Sequence, residues 1–207
     1  ILGALGDRAV IEEARRRYAA SATDPEAIPG SLRRVILGVV ARHADAATWD
    51  KLHAAALAEK TPLVKENLYY LLASSEDAGL ARRALDLALT SEPGATTSAG
   101  LIARVAEEHP DLAFDFALAH MAAVDDKIDA PSRSRYYASL ARESADPAMI
   151  GKLTAYATAH LEEKSRRDTE TAIANIKDRI RVRSQVLPAI DGWLSRAPAT
   201  GVAAKGR

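Results

Sequence analysis

The sequence contains no cysteine, so it can form neither a disulfide bond nor a thiolate metal site. This absence leaves the compartment open, because periplasmic proteins often lack cysteine too. Aromatic residues make up only 5% of the 207 residues, against 48% hydrophobic residues overall. No stretch reaches the roughly 18 uninterrupted apolar residues that suggest a membrane span. This composition favours helix-on-helix packing with few large anchors.

No excess of either charge is present, since Lys+Arg and Asp+Glu number 28 each. A chain with this balance has no long-range field to draw it onto a phosphate backbone or an anionic bilayer. Neither nucleic acid nor a membrane is therefore expected as a partner. The start, Ile1–Gly6, has no initiator Met and no basic flank, so it is not read as a signal peptide, and the chain is expected to be an N-terminally truncated piece of a larger one.

The sequence also lacks the short motifs that carry chemistry. There is no His-Glu-x-x-His zinc motif, no phosphate-binding glycine loop and no Gly-x-Ser-x-Gly nucleophile elbow. The five histidines of the chain are His43, His53, His109, His120 and His160. No two of them stand at i, i+4, the spacing that places two metal ligands on one helix face. We therefore predict no catalytic residue, no metal ligand and no cofactor in this chain.

What the sequence does contain is a succession of amphipathic helices. The clearest runs from Ser31 to about Ala44, with apolar residues recurring on one stripe. The predicted helix starts are Asp7, Asp45 or Thr48, Thr61-Pro62, Ser75-Glu76-Asp77, Thr97 or Ser98, His109-Pro110 and Asp146-Pro147. The pattern predicts about ten helices and no strand, and it predicts a kink at Pro188, because proline interrupts a helix interior. Connections of a few residues require successive helices to pack antiparallel.

Equivalent helix starts recur at roughly 31 to 38 residues, the period of a two-helix repeat. The predicted fold is all-α, a superhelical stack of antiparallel helical hairpins of the HEAT-like α-solenoid type. Residues 1–195 are assigned to this one domain and residues 196–207 to a flexible tail. Trp49-x-x-Leu52 matches one element of the tetratricopeptide pattern, but His53 stands where that pattern has glycine. The tetratricopeptide fold is thus a weaker alternative.

One helix carries polar and aromatic residues together, in the segment that follows Pro62. With Val64, Leu68 and Leu71 turned inward, Lys65 and Tyr69 would share a different face at i, i+4. Lys65, Tyr69 and Tyr70 are the peptide-facing candidates, because tyrosine offers apolar area plus a hydroxyl and lysine a positive charge. The alternative for both tyrosines is packing between helices.

The order of these segments resembles a known family. Its elements are Leu5-Gly6-Asp7-x-x-Val10-Ile11-x-x-Ala14-x-x-x-Tyr18, then Pro29-x-x-Leu32-Arg33, Trp49-x-x-Leu52, Lys65-x-x-x-Tyr69-x-Leu71-x-Ala73-x-x-x-Asp77, Ala172-x-x-x-Ile176-x-x-x-Ile180 and Asp191-Gly192-Trp193-Leu194. In this order they resemble the C-terminal helical domain of zinc aminopeptidases, the relatives of aminopeptidase N, puromycin-sensitive aminopeptidase and the endoplasmic reticulum aminopeptidases. The resemblance covers the chain from about Leu2 to Leu194.

The resemblance implies a non-catalytic domain that packs against the catalytic domain of the same polypeptide and encloses a peptide substrate. It places the zinc ion and the catalytic residues in that other domain. The alternative from another class is a free-standing helical-repeat scaffold that binds a protein partner. If helices precede Leu2 in the parent protein, the first hairpin has lost a neighbour, and self-association through Val10 and Ile11 is expected.

Overall fold

The computed structural model describes residues 1–196, and this part of the chain is built from helices without a strand. The prediction of an all-α, solenoid-like fold is confirmed. The predicted flexible tail lies outside the described residues, apart from Arg196. The α-helices are α1 (Arg8–Ala20), α2 (Gly30–Arg42), α3 (Ala46–Ala58), α4 (Pro62–Leu72), α5 (Ala78–Ala88), α6 (Ala95–Glu108), α7 (Pro110–Ala119), α8 (Met121–Asp125), α9 (Arg133–Ala141), α10 (Ala148–His160), α11 (Arg167–Arg181) and α12 (Leu187–Leu194).

Ten of the helices within residues 1–196 pair into five hairpins, as the predicted period requires. The pairs in contact are α1 with α2, α3 with α4, α5 with α6, α7 with α9, and α10 with α11. The short helix α8 lies in the connection between α7 and α9. The first members of the pairs (α1, α3, α5, α7, α10) form one layer, called here the first layer. The second members (α2, α4, α6, α9, α11) form the second layer.

Three aspartates start helices, Asp7 as predicted and Asp45 and Asp77 from among the alternatives that the sequence left open. The carboxylates of Asp7, Asp45 and Asp77 accept from the backbone N–H three residues on, at 3.0, 2.8 and 2.9 Å. Each bond satisfies one of the N–H groups that lack a partner in the first helical turn. The short connections between hairpins are therefore fixed by local hydrogen bonds.

The start of α6 differs from the prediction. The helix begins at Ala95, after Gly94 with φ +81°, rather than at Thr97 or Ser98. Glycine adopts this left-handed backbone without strain, so it ends the preceding loop and lets the helix start earlier. Ser98 consequently lies inside the helix, where it is fully buried.

The two layers differ in how closely their helices approach one another. In the second layer each helix contacts the next, from α2 through α4, α6 and α9 to α11, whereas in the first layer only α5 and α7 come comparably close. Long side chains bridge the first layer instead. The bridges are Arg83 to Asp50 at 2.6 Å, Arg82 over the ring of Phe116 at 5.0 Å, and Lys152 to Asp115 at 2.6 Å. The helices of the second layer therefore lie closer to their neighbours than those of the first layer.

The main core lies between the layers and is continuous from Ala41 to Ile176. Its first large anchor is Trp49, whose indole N–H donates to the carbonyl of Leu72 at 3.1 Å and so joins α3 to α4. The first hairpin has a small cluster of its own, formed by Ala14, Ile28, Ile36 and Val40. Tyr18 packs against both clusters and connects them.

The predicted interruption near Pro188 takes the form of a π turn over Val182–Val186, directly ahead of the proline. Proline has no N–H to donate, and its ring crowds the carbonyl four residues earlier. Widening of the preceding turn relieves that crowding. Beyond it, α12 has no buried residue, and its large apolar side chains are exposed.

Candidate functional site

The helix α4 is rotated relative to the prediction. Val64 was expected to face inward, but its side chain is 43% exposed, whereas Tyr69 and Leu72 are each 1% exposed. Leu68 and Leu71 are half-buried. The expectation that Val64 is part of the core is wrong, because the buried stripe passes through Tyr69 instead.

Tyr69 is buried because its hydroxyl has a partner. It donates to a carboxylate oxygen of Glu92 at 2.9 Å, and Nε2 of His53 lies 2.7 Å from the same oxygen. Burial first, and then this carboxylate, raise the pKa of Tyr69 to about 12. The ring of Tyr69 thus packs between helices, the alternative that the sequence left open.

Lys65 stands one turn before Tyr69 on the same stripe and is half-buried. Within residues 1–196 it forms no ion pair at salt-bridge distance. A lysine in such a place buries its stem and keeps its ammonium group in water. Its positive charge is therefore accessible at the first turn of α4.

Tyr70 lies in the seam between α4 and α6 of the second layer. Its hydroxyl donates to Glu66 at 3.1 Å, and burial together with that carboxylate raises the pKa of Tyr70. The ring passes so close to Gly100 that a Cβ there would stand 2.5 Å from the Tyr70 hydroxyl oxygen. From the other side of α6, the hydroxyl of Tyr136 donates to the carbonyl of Ala99 at 2.8 Å. Two tyrosines thus flank one turn of α6.

Substituting Gly100 with alanine is expected to lower the stability of the fold by about 1 to 3 kcal/mol, because the new methyl group displaces the ring of Tyr70. In an open helical position the same change stabilises by about 0.5 to 1 kcal/mol. Gly151 in α10 is the matched control, since nothing lies within 4 Å of a Cβ there. Urea unfolding of both variants measures the difference. Equal stabilisation by the two substitutions would show that Tyr70 moves aside without cost.

A groove of about 410 Å³ opens between α9 and α11, both in the second layer. It was not predicted from the sequence. Its lining residues are Arg142, Glu143, Asn175, Asp178, Arg179 and Val182. The lining is polar and carries both signs of charge, so the groove suits a ligand with ionic or hydrogen-bonding groups.

Two guanidinium groups in this groove share one carboxylate. Glu143 pairs with Arg142 at 3.2 Å and with Arg179, which lies 36 positions further along the chain. Nε of Arg179 is buried and has no hydrogen-bond partner among the residues described. Arginine presents five N–H donors, more than one shared carboxylate can satisfy. Both side chains are partly exposed, so their outer N–H groups retain capacity to bind an anionic group such as a carboxylate.

Three of the five histidines contact residues outside their own helix. His43 contacts Glu76 and Gly3, His53 contacts Glu92, and His109 contacts the carbonyl of Ser75. Over residues 1–196, no three side chains of His, Asp or Glu are grouped as a metal site would require. Among the helices of this part of the chain, none combines the length and the hydropathy needed to cross a membrane.

At the N-terminal end of the stack, Val10 and Ile11 are half-buried. The exposed apolar side chains there are Ile1, Leu2 and Leu5. Self-association through this end stays a prediction.

Comparison with known proteins gives one family. The family model described as "ERAP1-like C-terminal domain" matches residues 1–178. The match includes both hairpins of the Tyr70 seam and ends within α11, ahead of the π turn. No curated protein matches the chain.

Proposed function

The chain belongs to the family of ERAP1-like C-terminal domains, and from this membership we propose that it is the non-catalytic C-terminal domain of a zinc aminopeptidase. In this role it packs on the catalytic domain of the same polypeptide and encloses the chamber that holds the peptide. The zinc ion and the residues that cleave the peptide bond belong to the catalytic domain. The observation that carries the proposal is the family match over residues 1–178.

We assign the second layer to the chamber, because in a curved stack the more closely spaced layer is the inner one. A curved stack of hairpins offers one continuous inner surface, which suits an extended ligand such as a peptide. The Tyr70 seam and the groove between α9 and α11 both lie in this layer. They supply different chemistry to one ligand, since the seam is aromatic and the groove is charged.

Arg142 and Arg179 are proposed to bind an acidic side chain or the terminal carboxylate of a peptide, because guanidinium groups bind carboxylates in bidentate fashion. Tyr70 is proposed to contact the body of the peptide with the exposed part of its ring. Lys65 remains a proposed peptide contact, through the positive charge of its ammonium group alone. Tyr69 contributes by packing α4 in place.

The first test is the coding sequence upstream of Ile1. We expect it to encode His-Glu-x-x-His and, further downstream on a helix, a glutamate, the ligand set of a catalytic zinc site. A stop codon or a signal peptide directly ahead of Ile1 would contradict the proposal and favour the free-standing scaffold.

The second test uses the full-length enzyme that the proposal requires. Arg142→Ala should lower the ratio of kcat/KM for a long peptide to kcat/KM for a one-residue chromogenic substrate. The short substrate cannot reach the groove, so its turnover should not change. Loss of one charge-assisted hydrogen bond, about 1.5 to 3 kcal/mol, corresponds to a decrease of about tenfold or more.

The matched control is Arg16→Ala in α1 of the first layer. Arg16 is also exposed and pairs locally with Glu13 at 2.7 Å. This variant should leave the ratio unchanged. A ratio that responds equally to both substitutions, or to neither, would remove the groove from the peptide path.

A further inference from the structure

His43, at the C-terminal end of α2, lies between two hydrogen-bond acceptors. Its Nδ1 is 2.5 Å from a carboxylate oxygen of Glu76, and its Nε2 is 2.7 Å from the backbone carbonyl oxygen of Gly3. The ring is almost completely buried. Gly3 belongs to the N-terminal turn, a 3-10 turn over Leu2–Leu5 that packs on α2.

The protonation state of the ring follows from these two partners. A neutral imidazole has one N–H and one lone pair, whereas the doubly protonated ring has two N–H groups. An ionised carboxylate and a carbonyl only accept hydrogen bonds, so both contacts form together only with the doubly protonated ring. We propose that the N-terminal turn docks on α2 while His43 is protonated and is released when His43 loses a proton.

Apolar contacts do not hold the turn independently. Ile1, Leu2 and Leu5 are 98%, 57% and 77% exposed, so most of their apolar surface stays in water. Gly3 alone is buried, with its backbone against Val39. A Cβ at Gly3 would stand 2.5 Å from a methyl carbon of Val39, so this contact is one of backbone against side chain. The bond from His43 is therefore the main polar attachment of the turn.

The charges around His43 leave Glu76 as its ionic partner. Arg42 lies 3.8 Å from Glu76 but pairs in bidentate fashion with Glu108 of α6. From α1, Arg15 donates to the backbone carbonyl of His43 at 2.6 Å. From the start of α3, Asp45 faces Arg15 and accepts from Thr48. The N-terminal turn itself carries no ionisable side chain.

Loss of one proton changes the bond to Gly3 rather than the bond to Glu76. A carboxylate is the stronger acceptor, so the remaining N–H stays on Nδ1. The Nε2 lone pair then faces the Gly3 carbonyl oxygen, and two acceptors repel each other. Raising the pH until His43 loses a proton should therefore release the turn.

The test is nuclear magnetic resonance of the 207-residue chain at pH 5.5 and pH 8.5. The methyl signals of Val39 report the docked turn directly, and the amide of Asp7, bonded to the Leu2 carbonyl at 3.1 Å, reports its integrity. In the wild-type chain we expect the Val39 signals to shift as the His43 ring titrates. We also expect the Asp7 amide to exchange about tenfold faster than in the Glu76→Gln variant at pH 8.5.

Glu76→Gln is the discriminating variant. The amide of glutamine can donate to Nδ1 of a neutral His43, which then keeps its N–H on Nε2 for Gly3. The turn should therefore stay docked at both pH values. His43→Gln carries both of its N–H groups on one nitrogen, which cannot lie beside Glu76 and Gly3 at once, so this variant should release the turn at both pH values. Fluorescence of the buried Trp49 confirms that the core is intact.

Constant Val39 signals in the wild-type chain across the titration of His43 would overturn the proposal. Release of the turn in Glu76→Gln at the same pH as in the wild-type chain would overturn it as well. A turn that stays docked in His43→Gln would show that the histidine is not its attachment.

Discussion

Replacing Trp49 with alanine is expected to lower the free energy of unfolding by about 3 to 5 kcal/mol, the range for removing a buried large aromatic side chain. Trp49 is 3% exposed, and its indole N–H satisfies the carbonyl of Leu72. The guanidinium of Arg83 lies 4.0 Å above the ring of Trp49, and the alanine variant would lose this cation–π contact. One residue thus connects α3, α4 and α5.

Urea unfolding followed by circular dichroism measures this loss. The control is Trp193→Ala, because Trp193 is 64% exposed in α12 and its removal should change stability by no more than about 0.5 kcal/mol. Trp49→Phe removes the hydrogen bond to Leu72 but keeps an aromatic ring in the core. This substitution should lower the free energy of unfolding by about 1 to 3 kcal/mol. Similar losses for the two tryptophan-to-alanine variants would contradict the position of Trp49 in the core.

Alkaline pH is expected to destabilise the fold steeply, with Tyr69 as one identifiable contributor. Its pKa is raised from an ordinary value of 10.0 to about 12, mainly by burial and further by Glu92. The folded state therefore holds the proton more tightly than the unfolded state. The stabilisation is complete below pH 10 and is lost as the pH rises toward 12. A pKa difference of two units corresponds to about 2.7 kcal/mol of stabilisation, and about half of this stabilisation is lost by pH 11.

The measurement is the free energy of unfolding of wild type and Tyr69→Phe at pH 8, 10 and 11. At pH 8 the wild type should be more stable by about 1.5 to 3 kcal/mol, because its hydroxyl bonds to a charged carboxylate. By pH 11 this advantage should shrink by about 1.4 kcal/mol, since phenylalanine does not ionise. Burial raises the pKa values of Tyr136, Tyr137 and Tyr156 as well, so the variant itself also loses stability. Parallel curves for the two proteins would show that Tyr69 does not hold its proton more tightly when folded.

Local signals in the sequence were sufficient for most of the fold. A capping aspartate needs only its own first turn, so Asp7 could be identified without any tertiary information, and Asp45 and Asp77 to within three residues. The start of α6 could not, because Thr97 and Ser98 are also favourable caps. The left-handed Gly94, rather than either hydroxyl, decides where that helix begins.

The site was less accessible from the sequence because its determinants are far apart along the chain. Apolar character alone favours Val64 over Tyr69 as a core residue. The tyrosine is buried because Glu92, 23 positions later, accepts its hydroxyl hydrogen. Similarly, Arg142 and Glu143 resemble an ordinary solvated pair until Arg179 is brought beside them. Periodicity within one helix carries no information about such partners.

The contrast between the two layers gives the stack a direction of preferred bending. In the second layer, rings and backbone meet directly, as at Tyr70 and Gly100, and close-packed atoms resist compression. In the first layer, separate helices are connected by long side chains such as Lys152, which change rotamer at little cost. Bending of the stack should therefore pivot on the second layer, while the distances between the helices of the first layer change. Salt screens the exposed ties and should make this outer surface more compliant while leaving the pivot unchanged.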